Sequence, residues 1–293
     1  MQLAPVAAAL AAALCLGFGF VLQQRVAATV PQSDVLTLRL LRDLVVQPAW
    51  LAGIASMVVG QLLGALALRM ADISLVEPLL TVNILFALGI SARLAGRHLR
   101  LRDWVGVAML TGGITVFLLA AHPAAAGEAA QMGLTQWVTL AATGAVAAAA
   151  VVVARSRSGA GRAALLAAAA GILFGLQDGL TRQVTLLLGS GVPALVVRWE
   201  PWVLLLIAVT GLVLAESAFA SAPLQTSLPP LTIAEPLAGI GVGIGYFGEQ
   251  LRTAPGALML ESAGLLAMVF GCLVLTSSPL LASIAHTHGL RRR

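Results

Sequence analysis

Residues 134–154 read LTQWVTLAATGAVAAAAVVVA, 21 positions without a charged side chain. A helix needs about 20 predominantly apolar residues to cross a hydrocarbon core roughly 30 Å thick, and this run supplies them. It lacks the period-2 alternation of a barrel strand. In hydrocarbon the backbone must satisfy its own hydrogen bonds, so the run is expected to be a helix. Eight further runs of the same kind occupy 4–24, 48–70, 73–94, 103–121, 162–188, 196–216, 222–247 and 256–276. The expected fold is all-α, a polytopic membrane bundle of about nine transmembrane helices.

Composition agrees. The chain is 59% hydrophobic and 10% charged, against about 45–50% and about 25% in soluble domains, so a water-soluble globule is excluded. A net charge of +5 and a pI near 10.9 would suggest nucleic acid on a soluble protein. Binders of single strands also need interleaved aromatic side chains, and one Tyr with 5% aromatics overall does not supply them. No nucleic-acid partner is expected. Cys15 and Cys272 both lie inside apolar runs, which offers neither a disulfide framework nor a zinc cluster. The spelling Gly243-x-Gly245-x-x-Gly248 has no strand before it, so it is no dinucleotide fingerprint, and no P-loop is present. No cofactor is expected.

The first run has no positive flank before it and stays apolar past any cleavage site, so it is read as a span rather than a signal peptide. The stretch 31–47, PQSDVLTLRLLRDLVVQ, carries Arg39, Arg42 and Asp43. A short interfacial helix suits it better than a lipid-exposed span; if it crosses, the count becomes ten. With nine spans, thirteen of the 17 Arg fall in one set of connections and in the tail, and four, Arg69, Arg182, Arg198 and Arg252, in the other. The positive-inside rule places the first set in the cytoplasm. A multi-pass protein of the inner (plasma) membrane follows, with its N-terminus outside and its C-terminus cytoplasmic.

The sequence also resembles itself. Trp50 falls on Trp202, Pro78 and Leu79 on Pro230 and Leu231, Gly89 on Gly241, and Gly112 on Gly264, all at an offset of 152. A Gly-x-x-Leu-Arg element recurs at Gly96–Arg100 and Gly248–Arg252 at that same offset. Upstream, Gly17, Phe20, Leu22 and Gln23 fall on Gly171, Phe174, Leu176 and Gln177 at 154, which sets Gln24 against Asp178. Spans one to four then repeat as spans six to nine. Displacement by five spans inverts the second copy in the membrane, an arrangement characteristic of secondary transporters with a midplane site. The divisions are 1–121 for the first copy, 122–160 for the linking span and its loops, 161–276 for the second copy and 277–293 for a basic cytoplasmic tail.

These stretches resemble the drug/metabolite transporter superfamily (EamA-like), and within it the NIPA-type magnesium-transporter branch. Carrying the likeness are Gln47–Gly53, Gly60-Gln61, Ser74–Leu79, the Gly-x-x-Leu-Arg loop, Ala121–Pro123, Ala222–Leu228 and Gly248-Glu249. The resemblance implies a bundle of nine or ten spans, no ATP hydrolysis, and a small solute or cation as cargo. Two positions depart from it. The glutamate of the family's Gly-Glu pair in the second span is Gln61 here, and the Gly-Glu of the first interhelical loop is Gly96-Arg97. Magnesium needs hard oxygen ligands and dehydrates reluctantly, so lost carboxylates weaken the case for it.

Ionisable groups inside a span cost at least about 2.5–3.5 kcal/mol at mid-helix and face cavities or partners by default. Glu235, midway along the eighth span before Pro236, is the leading candidate, aligned with Asn83 in the third. Asp178 and Gln177 lie deep in the sixth span and align with Gln24 and Gln23; Arg182, one turn on, offers Asp178 an ordinary ion pair. Glu77 and Glu261 sit near helix N-termini, where the dipole alone accounts for an acid, but Glu77 precedes the matched Pro78. Gln61 suits interhelical hydrogen bonding. Arg198, Glu200 and Glu216 are expected to snorkel to the interfaces. The substrate-binding set is thus Glu235, Asp178, Asn83, Gln177, Gln24, Glu77 and Gln61, with Glu235 and Asp178 as ligands if the cargo is a metal ion.

The expected activity is secondary transport of a small solute, a cation (Mg²⁺ or an organic amine) or a metabolite, by alternating access. Its partners are the lipid bilayer and the cargo, and a homodimer is left open. The alternative is a membrane scaffold or accessory subunit whose buried acids only join helices. An enzyme is not expected, since no His lies within any span to complete a nucleophile–base set.

Overall fold

The computed structural model describes residues 3–31, 35–71, 76, 79–96, 99–121, 133–188, 192–248 and 255–276. Every regular element among them is a helix. In chain order these are α1 (Leu3–Ala27), α2 (Leu38–Val45), α3 (Pro48–Met70), α4 (Asn83–Leu94), α5 (Leu101–Ala121), α6 (Leu134–Arg155), α7 (Gly159–Leu188), α8 (Val192–Val197), α9 (Glu200–Ser221), α10 (Leu224–Phe247) and α11 (Pro255–Thr276). Seven of them, α1, α3, α6, α7, α9, α10 and α11, are long and apolar enough to cross a membrane. The chain is accordingly an all-α protein of the membrane-embedded kind. α5 matches the run expected at 103–121, and α4 forms the later part of the run expected at 73–94.

Local chemistry sets most boundaries. Pro48 opens α3 and Pro201 the first turn of α9, where a missing N–H costs nothing because that donor would be unpaired anyway. α9 starts four residues later and ends five residues later than the run expected at 196–216. The chain breaks at Arg198-Trp199, and the preceding apolar residues form the separate short α8. α2 has eight residues, about 12 Å of helix at 1.5 Å each, too short to cross. Its Leu40 and Leu44 are buried while Arg39, Arg42 and Asp43 are exposed. The 31–47 stretch therefore contributes no span through α2.

The helices sort into contact groups. α1 packs on α3 and α4; α7 packs on α9, α10 and α6; α5 and α11 form a pair. α1 also meets α9, and α4 meets α10. Glycine makes these approaches close. A Cβ on Gly17 would meet the Asn83 carbonyl oxygen, the Ala87 nitrogen and the Phe86 Cβ. A Cβ on Gly175 would meet the carbonyl oxygen of Glu235, the nitrogen of Gly239 and the Cβ of Ala238. The surroundings of Gly17 are thus matched by those of Gly175, one turn beyond the Gly171 with which sequence aligns it. In the α5–α11 pair, Gly113 and Gly264 face one another, each Cβ position lying 2.7–2.8 Å from the other's carbonyl oxygen. The two Gly-x-x-Leu-Arg glycines also share a role: Gly96 and Gly248 follow α4 and α10 with φ of +65° and +70°. That left-handed turn is where glycine ends a helix without a Cβ penalty.

Candidate functional site

Between α1, α3, α7 and α9 the helices leave a cavity of about 320 Å³, at the small end of the roughly 300–1,000 Å³ range of ligand pockets. α1 contributes Phe20 and Gln23, α3 Ile54, Met57, Val58, Gln61 and Leu62, α7 Phe174, and α9 Leu212, Ala215 and Phe219; Leu231 of α10 completes the wall. Phe20 and Phe219 meet edge to face with centroids 6.2 Å apart. Gln23 is 3% exposed. The lining is therefore apolar and aromatic, with two amide side chains to orient an occupant.

Beside the cavity sits a carboxylate that the sequence places at an interface. Glu216 of α9 is fully buried, adjoining the Leu212–Ala215–Phe219 stripe. Trp50, one turn before Ile54 on the cavity face of α3, donates its indole N–H to Glu216 Oε1 across 2.8 Å. Glu216 Oε2 has no hydrogen-bond partner among the described residues. Next to it Ser217, also fully buried, accepts the backbone N–H of Leu36 at 3.0 Å. The snorkelling expected of Glu216 does not occur, because α9 runs on to Ser221 and carries it inside the bundle. Glu200 is likewise buried rather than snorkelling. Arg198, outside the spans, grips both of its oxygens at 2.6 and 3.2 Å, and this bond with the attached charge raises the guanidinium pKa above its usual value.

Of the seven expected site residues, the cavity takes in Gln61 alone. Gln24 and Gln177 are half-buried on α1 and α7 and lie outside its lining, although Gln23, the neighbour of Gln24, faces it. Asp178 is exposed on α7, and Arg182, one turn on, sits over the Phe247 ring at 4.4 Å. Glu235 is half-buried in α10 with its backbone seated against Gly171 and Gly175 of α7. Asn83 begins α4, and its buried Oδ1 has no hydrogen-bond partner among the described residues. Glu77, with Pro78, lies outside the described residues, as do Arg97, Glu249 and the tail from 277. Glu261 is buried in the second turn of α11, past the reach of the helix end. Among the described residues no cluster of three His, Cys, Asp or Glu stands ready for a metal ion.

Phe20 and Phe174 were visible in the sequence as repeat matches, and Trp50 as the partner of Trp202. Nothing local marked the first two as cavity walls or Trp50 as a donor to Glu216.

No family model matches the chain, and no solved structure matches it. It is similar to an uncharacterized protein of Corynebacterium glutamicum, with 27% identity over 270 residues that cover 92% of this chain and 93% of that one.

Proposed function

We propose that the chain is a secondary transporter of the plasma membrane that moves a small organic amine by alternating access through the cavity between α1, α3, α7 and α9. The observation that carries this reading is the cavity itself, which is lined by α1 and α3 from the first sequence copy and by α7, α9 and Leu231 of α10 from the second. Nine spans in two inverted copies account for its placement. Supporting that symmetry are the parallel packing of α1 on α3 and α4 and of α7 on α9 and α10, the matched surroundings of Gly17 and Gly175, and the Gly113–Gly264 pair. In that register Gln24 corresponds to Arg182 rather than to Asp178.

The lining favours an amine over Mg²⁺. A magnesium ion asks for near-octahedral hard oxygen donors, and two amides in an aromatic wall fall short of that. Phe20, Phe174 and Phe219 line the cavity, and the faces of aromatic rings attract an alkylammonium group; Glu216 is one residue from the lining. The chain is oriented with its Arg-rich connections in the cytoplasm.

The test is flux. Purified protein in liposomes should show saturable uptake of a small alkylamine that is lost on Phe219→Ala. A scaffold would give none, and absence of saturable flux over amines, Mg²⁺ and other divalent ions would overturn the transporter reading.

A further inference from the structure

A buried carboxyl with one hydrogen bond is a conditional structure. An ionised carboxylate at such a site is costly unless a cation or further donors compensate it. Glu216 receives the Trp50 N–H on one oxygen, and its other oxygen is unpartnered among the described residues.

The bond lies where three helices meet. Trp50 stands in the first turn of α3 and Glu216 in the last two turns of α9, so the bond crosses from one helix to the other where α3 begins and α9 ends. Residues 35–45 lie over that same end. Val35, Leu40 and Leu44 are buried, α2 touches both α3 and α9, and Leu36 N–H is tied to Ser217. Leu36 holds a φ of +69°, a left-handed conformation that a bulky residue adopts at a cost and keeps only while its surroundings enforce it.

We propose that Glu216 is a proton-binding site that latches this end of the cavity. With a proton on Oε2 the carboxyl is neutral, accepts from Trp50 and lets α3, α2 and α9 close. When the proton leaves, the single Trp50 N–H does not offset the cost of burying the bare charge, so water enters at this end and residues 35–45 release from Ser217. Ionisation therefore favours the state open at this end, and a bound proton the closed one.

The neighbouring helices carry other titratable groups. α1 brings Arg25 and Cys15, α2 brings Arg39, Arg42 and Asp43, and α3 brings Arg69. α7 brings Arg162, Asp178 and Arg182, and α10 brings Glu235 and Tyr246. α9 itself adds Glu200, held by Arg198. Among the described residues none of these is a hydrogen-bond partner of Glu216.

The latch rests on the cavity being a passage, but its test needs no flux. With Cys15 and Cys272 replaced by Ala, Ala215→Cys places a thiol in the cavity wall. Its labelling by a water-soluble maleimide is followed from about pH 5.5 to about pH 9, a span in which a carboxyl titrates only when burial disfavours its charged form. The same series with Glu216→Gln supplies the thiol's own pH dependence. The ratio of the two rates should rise about tenfold as pH increases, the change that one pH unit can impose on a one-proton equilibrium. Trp50→Phe should label fast even at the acid end. Parallel profiles with and without Glu216→Gln would overturn the latch. Should a cysteine variant fail to fold, the protein with Trp104, Trp137, Trp199 and Trp202 changed to Phe reports the bond directly. Its emission should shift with pH, and the shift should vanish in Glu216→Gln; an unchanged shift overturns the proposal, as does none at all. Missing flux with a pH-dependent ratio sinks the transporter and leaves the latch standing.

Discussion

Trp50 and Glu216 stand 166 positions apart in the chain and 2.8 Å apart in the fold, so each is the other's environment. Trp50→Phe keeps most of the ring but strips the buried carboxyl of the one donor it has among the described residues. Orphaning a buried polar group costs about 1–3 kcal/mol, and thermal unfolding in detergent should show a loss of that size. Glu216→Leu removes the carboxyl and with it the need for the donor, so the double variant should lose less than the two single losses added together. Strict additivity would mean that the bond contributes nothing. Gln61 makes a second contrast. Gln61→Ala should weaken saturation of amine flux by about tenfold, the worth of one hydrogen bond near 1.4 kcal/mol. Gln24→Ala, outside the lining, should leave the saturation curve where it was.

Helix pairs are set by glycine. At Gly175 an added Cβ would meet the backbone of Glu235 and Gly239, atoms that cannot turn aside as a side chain can. Gly175→Ala should therefore destabilise by about 1–3 kcal/mol, as overpacking does. Gly144, inside α6, has nothing within 4 Å of a Cβ position. Gly144→Ala should be neutral or stabilising by about 0.5–1 kcal/mol, because Ala suits a helix interior better. Melting curves of the pair decide between close backbone packing and mere helix propensity. Helix extents were largely legible in advance: α3 spans the residues 48–70 expected of it, and α6 overruns its expected run by one residue. Apolar length is a local property, and a span is defined by it. α9 departs from its expected run because the chain breaks at Arg198-Trp199, where Glu200 is buried and bound by Arg198.

The bundle taken entire makes its own prediction about the two Gly-x-x-Leu-Arg loops. If the copies are inverted, a reporter after Gly96 and one after Gly248 should label from opposite sides of the membrane. Labelling from one side would remove the symmetry on which the transport reading draws. Charge counting and the self-matches at an offset of 152 were open to a reader of the sequence, since both are patterns along the chain. The cavity was not. Its walls come from Phe20, Met57, Phe174 and Phe219, apolar residues that nothing distinguishes from lipid-facing neighbours until the helices are rotated against one another.

Apolar length, the break-forming prolines and glycines, and the sparse charges were sufficient to specify an all-helical membrane chain, because each acts within a few residues of itself. Which polar groups would share a cavity required the folded bundle. Facing is fixed by contacts between distant segments, and so five further residues at the end of α9 turned Glu216 from an interfacial acid into a buried one.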